Sequence, residues 1–185
     1  MSKIQQLIDN YEKKVNSPWE ENLSGQEKVW FVVYQKGKER LLRSRISEFE
    51  LRTKEADKSW FHVDLTDTFP EWMMEQEYRE EYFKNPESLD FALTKYKRFV
   101  VEKIRNQLTQ EAVDSNSVVA VSGVATLFGF LKVHNLVKEV RGDITGRLVV
   151  FFPGTFDGNS YRLLDARDGW DYRAVPITNE KGVLS

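Results

Sequence analysis

The sequence predicts a single α/β domain over residues 1–185, with a layered, mostly parallel sheet, helices on both faces and a C-terminal β-hairpin. Three observations lead there. Val29–Tyr34, Ser117–Val121 and Leu148–Phe152 are short apolar runs rich in β-branched and aromatic residues, as strands covered on both faces require. The stretches between them repeat apolar residues at spacings of three and four, the period of a helix. After Pro153-Gly154 the texture changes to short mixed segments around Asp168-Gly169, which suits a hairpin.

Taken in order, residues 2–15 place Ile4, Leu7, Ile8, Tyr11 and Val15 on one helical stripe, ended by Ser17-Pro18. Residues 1–25 therefore read as an N-terminal helix and a connection. Val29–Tyr34 is the first strand. Glu39–Lys54 carries Leu42, Ile46 and Phe49 at helical spacing, with a strongly basic polar face. Ser59–Leu65 reads as a second strand, and Thr68-Phe69-Pro70-Glu71 as the start of a short helix with Pro early in it. Asn85-Pro86 opens the longest helix, to about Ala112, on a stripe of Leu89, Leu93, Tyr96, Val100, Ile104 and Leu108. Ser117–Val121 is the third strand. Gly123 turns the chain into a helix carrying Leu127, Phe128, Leu131 and Val137, which Gly142 closes. Gly146–Phe152 is the fourth strand, stopped by Pro153-Gly154. Tyr161–Leu164 and Tyr172–Ile177 are the arms of the terminal hairpin.

Composition narrows the chemistry. With no cysteine, disulfides, thiolate nucleophiles and Cys-containing zinc sites are excluded, and only His62 and His134 offer imidazoles. No cofactor or metal is expected. No apolar run approaches the ~18 residues of a membrane span, and Met-Ser-Lys-Ile-Gln-Gln lacks a signal peptide's apolar core, so a cytoplasmic protein without membrane contact is expected. A net charge of −2 gives no global pull toward phosphate backbones. The charge is uneven, however. Lys36–Lys58 holds eight basic and five acidic side chains, whereas Glu71–Asp90 holds seven acids and two bases.

If the four strands are parallel, Lys36–Lys38, Asp64–Asp67, Ser122-Gly123 and Pro153–Thr155 all lie at their carboxyl ends, where open α/β sheets bind ligands. Asp64, Ser122, Gly123, Gly154 and Thr155, with Asp157 and Arg162 beyond the turn, are the candidate ligand-binding residues. No Gly-x-x-x-x-Gly-Lys-Ser/Thr occurs, and Pro153 stands where a Walker-type acid would hold magnesium, so NTP hydrolysis is not expected. His62 and Asp64 alternate on one strand and could serve as base and orienting carboxylate, but without a nucleophile a structural histidine is the simpler reading. Ser122-Gly123 lacks the Gly-x-Ser-x-Gly elbow. The basic positions Arg40, Arg43, Arg45, Lys95, Lys97, Arg98, Lys103 and Arg105 would track phosphates if their helices aligned, although such residues are more often a solvated face. Trp72, Met73, Met74, Tyr78, Tyr82 and Phe83 are too many apolar side chains for one short acidic helix to hide. Some should be exposed as a protein interface, and Trp72, Met73, Tyr78, Tyr82 and Phe83 are the candidate partner-binding residues.

The strongest motif is residues 117–177 taken together. Val119-Ala-Val-Ser-Gly-Val-Ala125, Leu148-Val-Val-Phe-Phe-Pro-Gly-Thr-Phe-Asp-Gly-Asn-Ser-Tyr-Arg-Leu-Leu-Asp165 and Tyr172-Arg-Ala-Val-Pro-Ile177 follow one another in an order and spacing that resembles the BrxB family of bacteriophage exclusion (BREX) systems. Upstream of Ser117 only element order and size agree. The resemblance implies a role in phage defence beside a methyltransferase, a large ATPase and the phosphatase-like PglZ, with other BREX proteins as partners and PglZ foremost. It carries over no catalytic residues. From the residues alone, Gly154, Gly158, Asp157, Asn159 and Ser160 also make a self-contained tight loop. The expected function is therefore a non-catalytic assembly subunit. The alternative is a nucleic-acid- or nucleotide-sensing protein that uses the cleft at the sheet's carboxyl edge.

Overall fold

The computed structural model describes residues 2–158, 160–164, 166–169 and 173–180. Helix α1 (Lys3–Asn16) starts where the Ser2 hydroxyl accepts the Gln5 backbone N–H. Strand β1 (Val29–Tyr34) has all six residues buried. The predicted helix over 39–54 is two helices, α2 (Glu39–Arg43) and α3 (Ile46–Glu55). They part where the Ser44 hydroxyl donates to the Leu41 carbonyl, a local bond that competes with the helical ladder. Strand β2 (Ser59–Asp64) follows, and the acidic aromatic stretch forms α4 (Thr68–Met74) and α5 (Arg79–Lys84) rather than one helix. Then come α6 (Glu87–Leu108), β3 (Ser117–Ser122), α7 (Val133–Val140), β4 (Arg147–Asp157), β5 (Ser160–Leu163), β6 (Ala166–Gly169) and β7 (Val175–Ile177). The helix expected directly after Gly123 is instead a 3-10 turn over Val124–Leu127, and α7 begins only after Gly129, whose φ of 83° no helix accommodates.

Five strands lie in the order β2-β3-β4-β1-β7, and every neighbouring pair among them is parallel. Because side chains alternate along a strand, β1 sends Val29, Phe31 and Val33 to one face and Trp30, Val32 and Tyr34 to the other. The first face packs against α4, α6 and α7, through Trp72, Tyr96, Val100, Ile104, Leu136 and Val140. The second packs against α1 and α3, through Ile4, Leu7, Ile8, Tyr11 and Phe49. Both faces are thus covered by helices. On the second face the buried Tyr11 hydroxyl meets Thr53 Oγ1 at 2.5 Å. Thr53 spends its own proton on the Phe49 carbonyl at 2.8 Å, so Tyr11 is the donor, and burial pushes its phenol well above the ordinary range.

The fourth strand does not stop at Pro153-Gly154. It changes partners there. Leu148–Pro153 pairs in parallel with β1, while Gly154–Asp157 pairs in antiparallel fashion with β5. Proline, which has no N–H to give, ends the first ladder and its carbonyl accepts Leu164 N at 2.7 Å in the second. Glycine follows because a Cβ at 154 would lie 1.8 Å from the Arg162 carbonyl oxygen. The C-terminal hairpin is formed by β5 and β6. Its expected second arm behaves differently: Val175–Ile177 joins the main sheet beside β1, where Ile177 adds to the core on the α1 side. Asn159, Asp165 and Tyr172 of the motif lie outside the described residues.

Candidate functional site at the carboxyl edge of the sheet

Parallel register sets the end of β2 beside the end of β3, with Asp64 opposite Ser122. The chain turns after Asp64, whose carboxylate accepts the Thr66 backbone N–H at 3.0 Å and the Thr66 hydroxyl at 2.5 Å. Gly123 lies against this turn. A Cβ there would sit 2.5 Å from Thr66 N and 2.7 Å from Asp64 Oδ1, and its φ of 76° is itself left-handed, so only glycine lets the two turns meet. Arg43, at the end of α2, closes the cluster. Its Nη2 reaches Asp64 Oδ2 at 2.6 Å and its Nη1 donates to Thr66 Oγ1 at 2.8 Å. Behind it Glu39 lies 3.9 Å from Arg43 and accepts the Tyr34 hydroxyl.

The electrostatics follow from this chain of contacts. Partial burial of Asp64 opposes its charge, but the hydrogen bonds from Arg43 and Thr66 outweigh it and hold the carboxyl down to about 2. Burial and then the Glu39 carboxylate push the Tyr34 phenol far up. His62 Nε2 and Ser122 Oγ are 2.8 Å apart. Partial desolvation lowers the imidazole's proton affinity, and the opposing pull of the Asp64 carboxylate does not outweigh it. Asp64 does not orient His62, since its bonds go to Arg43 and Thr66. Ser122 is only 2 % exposed, which withholds its hydroxyl from any substrate in solution. The pair links the ends of β2 and β3 at this edge.

The seven ligand-binding candidates divide into two groups. Asp64, Ser122 and Gly123 meet at the parallel edge. Gly154, Thr155, Asp157 and Arg162 belong to the antiparallel ribbon, with Thr155 opposite Arg162. That ribbon grows from the switch point between β4 and β1, the place where open α/β sheets ordinarily leave a crevice. Fully buried Tyr161 of β5 packs there on Phe31 at 4.8 Å and on Phe152 at 5.7 Å between ring centroids. The chain's own aromatic ring thus occupies space that a ligand would otherwise use.

Of the partner-binding candidates, Trp72 and Met73 are buried in the core, where Trp72 lies 5.3 Å from Tyr96. Tyr82 is half-buried against the same cluster. Tyr78 and Phe83 are 69 % and 72 % exposed. Sequence reasoning missed Phe91, which is 87 % exposed and sits off the apolar stripe of α6, and it named Met74, 73 % exposed, without singling it out. It also missed Arg43 and Thr66 as partners of Asp64. The spacing of Glu39 and Arg43, and a threonine two residues after an aspartate, were the signals available. Of the eight basic positions, Arg43, Arg45, Lys97, Lys103 and Arg105 are each engaged by an acidic side chain. Among the described residues no group of acids and histidines could hold a metal ion, and no helix is long and apolar enough to cross a membrane.

Fold and site together define an open, parallel α/β protein whose carboxyl edge is tied by an Arg–Asp–Thr cluster and plugged by its own β-ribbon. The chain belongs to the BrxB family, whose model, described as BREX protein BrxB, matches residues 61–177. The match begins on β2, upstream of the motif-rich segment. A relative from Bacillus cereus (strain H3081.97), described as BREX protein BrxB, is 24% identical over 194 residues, covering 97% of this chain and 100% of the relative. No solved structure matches the chain.

Proposed function

We propose that the chain is a non-catalytic subunit of a BREX defence assembly that works by binding another of its proteins, with the phosphatase-like PglZ as the partner the family resemblance points to. One observation carries the reading: Met74, Tyr78, Phe83 and Phe91 stand 69–87 % exposed along α4, α5 and α6. Lone exposed apolar residues are ordinary, and four large ones within eighteen residues of chain support reading this stretch as a contact surface. They stand among the seven acids of Glu71–Asp90, so the partner surface should be basic at its rim and apolar at its centre. Trp72 and Met73, buried in the core, take no part in this surface. The filled crevice and the buried Ser122 favour binding over catalysis, and five of the eight basic positions that could have tracked phosphates are engaged by acids.

Calorimetric titration of the protein with PglZ tests the reading. Replacing Tyr78 and Phe83 together by Ala should weaken the complex by about 2 kcal/mol or more, with thermal stability kept, because both side chains are exposed. Unchanged affinity would remove this surface from the interface. The isolated protein should turn over neither ATP nor GTP with magnesium, and turnover abolished by Asp64→Asn would overturn the non-catalytic reading.

A further inference from the structure

A second polar centre lies at the opposite, amino-terminal edge of the sheet. Arg147 opens β4 and is only 4 % exposed. Its guanidinium carbon lies 4.7 Å from the ring centre of Trp19 and 5.8 Å from that of Trp30, and the two indoles meet edge to face at 5.6 Å. Trp19 is held in place by its Nε1–H, which donates to the Val15 carbonyl at 3.1 Å. Two N–H groups of Arg147 donate to the backbone carbonyls of Gly146 and Glu20. The Nε–H has no acceptor, and among the described residues no carboxylate pairs with this arginine. A buried cation without a contacting counter-charge is costly, and burial lowers its affinity for the proton by more than the attraction of the Glu20 carboxylate restores.

Arg147 lines a cleft of about 280 Å³ whose walls include both indoles, Lys14 and Arg173. Lys58 Nζ adds a further positive charge 4.4 Å from the Trp19 ring. Glu20 and Glu27 also border the cleft and offset part of its charge, Glu20 acting on Arg147 and Glu27 on Arg173, although neither forms an ion pair with them at contact distance among the described residues and Glu27 accepts the Ser24 backbone N–H and hydroxyl. We propose that this cleft is an oxyanion site, in which Arg147, Lys14 and Arg173 receive a small carboxylate or phosphate group. A planar guanidinium suits either anion, and the indole walls exclude the water that would otherwise weaken the attraction. The site stands apart from the partner surface on α4–α6 and does not rest on the function proposed above.

Tryptophan fluorescence reads the site directly, because Trp19 and Trp30 form its walls. The protein is titrated separately with inorganic phosphate and with citrate, at constant ionic strength set by chloride. A saturable signal with phosphate alone assigns a phosphoryl group, and one with citrate alone assigns a carboxylate. Arg147→Lys, which keeps the charge and loses the planar fork, should weaken binding at least tenfold. Should that variant fail to fold, Lys14→Ala and Arg173→Ala decide, each expected to weaken binding about threefold or more. Absence of a saturable signal with both anions, or saturation unchanged in Lys14→Ala and Arg173→Ala, would overturn the proposal.

Discussion

Asp64 concentrates the physics of the carboxyl edge in one side chain. In the fold its carboxyl is held down to about 2 from an ordinary value of 3.8, because the hydrogen bonds from Arg43 and Thr66 outweigh partial burial. A depressed acid stabilises the fold above the unfolded value and loses that contribution as the pH falls through the folded value. The window therefore runs from about pH 4 down to about pH 2. The side chain is 39 % exposed, so solvent screening limits the effect to about 1 kcal/mol or less. Asp64→Asn should be less stable than the parent in urea at about pH 7, with the gap narrowing as the pH falls toward ~2 and closing only below it, where the parent's carboxyl is also neutral in the fold. A gap unchanged at low pH would mean that asparagine disturbs the turn sterically. His62 at the same edge reads from the sequence as a structural histidine because no nucleophile accompanies it. Its actual partner Ser122 lies sixty residues away in sequence and is not legible there.

At the scale of elements, strand β4 decides the shape of the C-terminal third. Its residues up to Pro153 belong to the buried parallel sheet, and from Gly154 they belong to an antiparallel ribbon with β5 and β6. The hinge between these halves is a steric fact: β5 crosses so close to Gly154 that a methyl group would meet the Arg162 carbonyl oxygen at 1.8 Å. Gly154→Ala should therefore cost roughly 3 kcal/mol or more in chemical denaturation, by parting β4 from β5 and loosening Tyr161 over Phe31 and Phe152. A loss below about 1 kcal/mol would show that the ribbon yields without strain. Proline and glycine together read locally as a stop, and that is how the sequence alone presents them. Continuation of the strand needs a partner that arrives only later in the chain, with Gly154 opposite Leu163.

Across the whole molecule, two apolar clusters are separated by one sheet, and the same strands feed both. Phe31 and Val33 serve one cluster while Trp30 and Val32 serve the other; Val119 and Val150 pair in the same way with Val118 and Val149. Neither cluster can lose its strands without the other. Thermal or urea unfolding should accordingly give one cooperative transition, coincident by far-UV circular dichroism and by tryptophan fluorescence. Two resolved transitions would show that the α1–α3 layer, or the C-terminal ribbon, unfolds independently.

The sequence by itself determined the class of fold, the parallel strands, the helical layers and the family. Those properties rest on period and composition, as in the unbroken Val29–Tyr34 run or the stripe from Leu89 to Leu108, which any register of packing would preserve. The tertiary structure decided which apolar residues are surface and which side chains form a site. Trp72 and Phe83 are equally apolar in a list of residues, yet Trp72 faces Tyr96 and Phe83 faces solvent, because α4 and α5 are separate helices whose orientations depend on α6. Arg43 finds Asp64, and Arg147 is covered by Trp19 and Trp30, through contacts between segments remote in sequence. Such contacts depend on strand order and register. No local pattern encodes these, because they are the joint outcome of burying both faces of one sheet.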